Sequence, residues 1–122
     1  MTSPDQPTDP EDHKIITLAR AARARTGALQ GACVRDTDGR TYAATSVQTR
    51  HLRLSALAVA VAMAVSSGAP GLEALALAAD EPPSEDDRAV AGDLPGSDVV
   101  IWQVGGDGEV RTVTSVLRST HV

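Results

Sequence analysis

Few side chains in this sequence can do chemistry. They are one thiol, three imidazoles, a cluster of serine and carboxylates in "PPSEDDR", and a set of arginines. The thiol is Cys33, flanked by Ala32 and Val34. A single cysteine makes neither a disulfide framework nor a multi-cysteine metal site. Its apolar neighbours, with no His or Asn nearby in sequence, predict a buried, inert strand residue rather than a nucleophile. The imidazoles, His13, His51 and His121, are scattered along the chain without zinc-ligand spacing, so no metal site is expected from them. In "PPSEDDR", Ser84 and the acids after it read as a helix start, with a capping hydroxyl and carboxylates that suit the helix dipole. Between residues 14 and 53 bases outnumber acids, a pattern that can serve phosphate binding. Arg20, Arg23 and Arg25 instead read as the solvated face of a helix. No Phe or Tyr stands between them for bases to stack on, and no nucleic-acid partner is expected.

These residues must be positioned by a chain of 122 residues, long enough for one domain with a real core. Hydrophobic residues make up 42% and aromatic residues 2%, so the core must be built from Ala, Val, Leu and Ile. Residues 1–12 are acidic and Pro-rich and read as a disordered tail, leaving 13–122 as a single domain. That N-terminus is unlike a signal peptide, and a cytoplasmic location is expected. "HKIITLARAARARTG" carries an apolar stripe at helical spacing and a Gly27 stop. "GACVRDTDGRTYAATSV" reads as a β-hairpin turning at "DTDG", with Gly31 marking a close backbone approach. "RLSALAVAVAMAVSSG" is apolar on almost every side. Its Ala content and length predict a buried helix ended by Gly68 and Pro70, and the run is too short to span a membrane. Leu57, Val61 and Val65 form a stripe along it, expected to pack in the core or at an interface. A buried strand at "LEALALAA", a helix after Ser84, and two strands around "GGDG" complete the order. Trp102 is expected to anchor strand against helix. The alternation of helices and strands implies an α/β layered domain.

In its small residues, turns and spacings the chain resembles the cytidine deaminase superfamily. The resemblance runs from "GAC" and "DGRTY" through "LSALAVAVAMAVSSG", "LALAAD" and "PPSEDDRA" to "GGDGEV". It implies a three-layer α/β/α sandwich with a mixed five-stranded sheet. The family holds zinc through a Cys or His at the start of the central helix and two Cys at the start of the next. A Glu two positions after the first ligand moves protons. The corresponding positions here hold Ser55, Leu57, Ser84 and Asp87. The family's substrate-holding Asn and Glu fall on Ser46 and Gln48, and the aromatic lid before the first strand is reduced to "TGALQ".

Serine is a poor zinc ligand, leucine carries no proton, and one carboxylate does not make a site. The expectation is therefore a catalytically inactive deaminase-like protein without zinc or other cofactor. It would act as a structural or interaction domain, as a homodimer or larger homo-oligomer, with a protein partner also open. An alternative is a nucleoside- or nucleotide-sensing module using the remnant pocket, with Ser46, Gln48 and His51 as ligand contacts. A third is a divergent deaminase or hydrolase.

Overall fold

The computed structural model describes residues 6–118. His121 and residues 1–5 of the expected tail lie outside them.

The first helix, α1 (Pro10–Thr26), begins three residues earlier than the apolar stripe suggests. Asp9 caps it by accepting a hydrogen bond from the Glu11 N–H, Pro10 occupies the first turn, and Glu11 and Asp12 sit at the positive end of the dipole. Residues 9–12, read as tail because they are acidic and proline-containing, are thus the start signal of the helix. Gln6 and Pro7 also belong to the fold: the Val110 N–H donates to Gln6 Oε1, and Pro7 is buried. Gly27, at φ 65°, ends α1.

A hairpin follows, β1 (Gly31–Asp36) and β2 (Thr41–Thr45), then a two-stranded ribbon, β3 (Val47–Gln48) and β4 (Arg53–Leu54). The ribbon leads into α2 (Ala56–Ser66), β5 (Leu72–Ala78), α3 (Glu85–Ala91), β6 (Val100–Val104) and β7 (Val110–Ser115). The main sheet has the order β2-β1-β5-β6-β7. It is mixed: β5 and β6 run parallel, and the other pairs are antiparallel. With α1 on one face and α2 and α3 on the other, this is the three-layer sandwich.

Side-chain size is sorted between the faces. Leu75 and Leu77 of β5 join Ala32 and Val34 of β1 against α2 and α3, whereas Ala74, Ala76 and Ala78 join Cys33 against α1. The small-residue face lets α1 lie close. Gly31 is where its backbone passes, since a Cβ there would stand 2.8 Å from the Arg23 amide nitrogen. Trp102 packs with the α1 cluster, as an anchor should; its indole N–H is buried without a hydrogen-bond acceptor.

The central helix is less enclosed than its composition predicts. Ala56, Leu57, Ala60, Val61 and Ala64 are buried, but Met63 is exposed and Val65 is 56% exposed. The stripe from Leu57 through Val61 to Val65 splits because each four-residue step rotates about 40° around a helix of 3.6 residues per turn. Two steps carry Val65 off the core face.

Candidate functional site

The N-termini of α2 and α3 meet. Ser55 caps α2, its Oγ accepting from the Ala58 N–H at 3.1 Å, and Ser84 caps α3 in the same way through the Asp87 N–H at 3.0 Å. The Ser55 hydroxyl donates to Asp87 Oδ1 at 2.6 Å. That bond joins two helices whose residues are 32 apart in sequence. Asp87 is 5% exposed and Ser84 lies at the surface. The half-buried hydroxyl of Ser55 thus both donates to a carboxylate and accepts from a backbone amide.

Leu57 lies in the first turn of α2 and is wholly buried in the cluster with Ala32, Leu75 and Leu77. It is a core residue. Ser46, Gln48 and Ser55 line one open cavity of about 310 Å³, together with Leu29, Gln30 and Arg53. Leu57, Ser84 and Asp87 do not line it, and neither does His51, which lies exposed between the strands of the ribbon. The seven positions singled out in sequence thus separate into a helix-to-helix clamp (Ser55, Ser84, Asp87), a core residue (Leu57), a cavity wall (Ser46, Gln48, Ser55) and an outlying imidazole.

Gln30 escapes sequence reasoning. Its Oε1 accepts from the Ala56 N–H at 3.1 Å, covering a free amide of α2, and its backbone exchanges hydrogen bonds with Ser46. Both contacts join positions distant in sequence, so no local pattern marks it. With Gln30 in place, the Ala56, Ala58 and Val59 amides at the start of α2 all have partners within the protein.

The zinc that the resemblance implies does not fit these donors. The Ser55 and Ser84 oxygens are engaged in capping as neutral hydroxyls, and protein zinc is held by thiolate, imidazole or carboxylate. Among the described residues no three His, Cys, Asp or Glu stand together in a way that could hold a metal ion. Cys33 is on the other side of the sheet, against α1, where burial pushes its thiol up to about 11. No helix among the described residues is long and apolar enough to cross a membrane.

Comparison with known proteins agrees with this architecture. The family described as cytidine deaminase-like matches residues 8–108. Cytidine deaminase from Burkholderia pseudomallei superimposes with a TM-score of 0.74 at 26% identity, over 85% of this chain and 91% of that one. Cytidine deaminase from Mycobacterium tuberculosis gives 0.65 at 26% identity, over 76% and 85%. The enzyme from Mycobacterium leprae, at 19% identity and a TM-score of 0.64 over 84% and 95%, shares the fold. No curated protein sequence matches the chain.

Proposed function

Because the chain belongs to the cytidine deaminase-like family, we propose that it is a member that has exchanged metal catalysis for a structural role, an interaction domain that associates with copies of itself. The observation that carries this reading is the 2.6 Å hydrogen bond from Ser55 to Asp87. In a zinc deaminase a metal ion ties the two helix starts together; here a hydroxyl and a carboxyl do so. Leu57, where the family's proton-carrying Glu would stand, packs among aliphatic side chains and offers no group to move hydrogen.

The self-association half of the reading is supported by the surface around α2. Leu52, Leu54, Met63 and Val65 are all exposed, and all lie on α2 or just before it. Large apolar side chains left exposed on one helix and the segment leading into it support an interface there.

Purified protein tests the catalytic half. It is expected to contain less than stoichiometric zinc after exposure to the metal and to leave cytidine unchanged. One zinc per chain, or cytidine converted with turnover, overturns the reading in favour of a divergent deaminase. Leu57→Ala, expected to destabilise by about 2–5 kcal/mol as a core truncation, provides a check on its packing role.

The cavity of about 310 Å³ beside Ser55 favours a second reading, a nucleoside- or nucleotide-sensing module. It falls at the small end of ligand-site volumes and offers polar groups from Ser46, Gln48 and Arg53. Saturable stabilisation by a nucleoside, abolished by Gln48→Ala, would select sensing over a purely structural role.

A further inference from the structure

A different cleft lies on the α1 side of the sheet. Its first part, about 460 Å³, is lined by Arg20 and Arg23 of α1, Ala78 at the end of β5, Asp80, and Gly105 and Gly106. A neighbouring cavity of about 370 Å³ shares Asp80, Gly105 and Gly106 and adds Gln103, Arg111 and Thr112. Together they form a crevice at the C-terminal ends of β5 and β6, the parallel pair of the sheet. Open α/β sheets commonly bind ligands beyond the C-terminal ends of their strands.

We infer that this crevice binds a phosphate-bearing small molecule through Arg20, Arg23 and Arg111. Arg20 and Arg23 are three residues apart, on one face of α1, and Arg111 approaches from β7. The Arg20 guanidinium meets no carboxylate among the described residues; it donates to the Gly106 carbonyl at 3.1 Å. Arg23 pairs with Asp80, whose side chain is 82% exposed, and Arg111 pairs with the half-exposed Asp107. Such exposed pairs contribute little stability, so an incoming phosphate can replace either carboxylate. Three guanidiniums against two carboxylates leave the crevice one positive charge in excess.

The turn between β6 and β7 is shaped around these side chains. A Cβ at Gly105 would stand 2.7 Å from Arg111 Nε, and one at Gly108 would stand 2.6 Å from Arg20 Nη1. The floor is set by Gln103, buried in β6, whose side chain donates to the Ala79 carbonyl and accepts from the Thr112 hydroxyl. A hydrogen-bonded floor, a glycine-rich turn and three planar donors match the geometry of phosphate oxygens. The ligand chemistry is a phosphate group, free or esterified.

The test is an amide NMR titration of the full chain with inorganic phosphate, against chloride at matched ionic strength, and in a second arm with a ribonucleoside 5′-monophosphate. The expected result is saturable shifts at Arg20, Arg23, Gly105, Gly106 and Arg111 in at least one arm. Tighter binding of the ester identifies a phosphorylated metabolite, and equal or tighter binding of the free ion identifies inorganic phosphate. Arg20→Gln should weaken binding about tenfold, the loss expected for one charge-assisted contact. Arg25→Gln, an exposed arginine on the same helix outside the crevice, should leave it unchanged. Non-saturable shifts in both arms, or equal loss in the Arg20 and Arg25 variants with both folded, overturn the proposal.

Discussion

Two buried residues near the start of the sheet illustrate how environment sets chemistry. Cys33 sits in the α1-facing cluster, and burial pushes its thiol up to about 11, so the thiol form dominates at neutral pH. It is expected to resist a water-soluble disulfide reagent at a rate limited by unfolding, and to react at once in denaturant. Fast labelling of the folded protein would contradict its placement. Asp36, also fully buried, is held below the usual aspartate range. Burial alone would raise it, but hydrogen bonds from the Tyr42 hydroxyl at 2.8 Å and from the Arg40 and Asp38 amides outweigh that effect. A carboxyl lowered by folding adds stability that is complete above its unfolded value of 3.8 and fades as pH falls through the folded value. Tyr42→Phe is therefore expected to lower Tm at neutral pH, with the gap to the parent protein closing below that value. A gap that stays constant into acid would show that the phenol acts through packing alone.

Helices and strands hold the candidate site through single contacts between distant residues. The Ser55–Asp87 bond ties α2 to α3, and each serine also caps its own helix. A double-mutant cycle of Ser55→Ala and Asp87→Ala is expected to return a coupling of about 1–3 kcal/mol, the range for a partly buried hydrogen bond with a carboxyl group. Coupling near zero would mean that the helices meet without this clamp. The approach of α1 to β1 depends on Gly31, where an added Cβ would run into the Ala19 carbonyl and the Arg23 amide of the helix backbone. Element types and order were legible in the sequence apart from the short β3–β4 ribbon, whose Arg53 and Leu54 read as the start of the central helix, because capping residues, periodicity and Gly/Pro punctuation act locally. The start of α1 was misjudged for an equally local reason: Asp9, Pro10, Glu11 and Asp12 have the composition of a solvated tail and also the chemistry of a helix N-terminus.

At the level of the whole molecule, the exposed side of α2 sets a prediction about assembly. Val65→Asp places a charge on the exposed apolar surface without touching the buried face. Light scattering is expected to find a homo-oligomer for the parent chain and a monomer for the variant, with secondary structure unchanged. A monomeric parent would remove the self-association reading. A layered α/β domain and a largely buried apolar helix were legible from periodicity and composition, and the three-layer order followed from the family resemblance. The pairing of Ser55 with Asp87, the insertion of Gln30 over the start of α2, and the exposure of Val65 were decided only by the tertiary structure. So was the gathering of Arg20, Arg23 and Arg111 around Gly105 and Gly106, side chains that the sequence offered merely as a charged helix face and a distant strand. The physical reason is range: caps, turns and periodicity are settled within a few residues, whereas a site is made of groups brought together across dozens of them, and their distances depend on how closely each layer packs on the next.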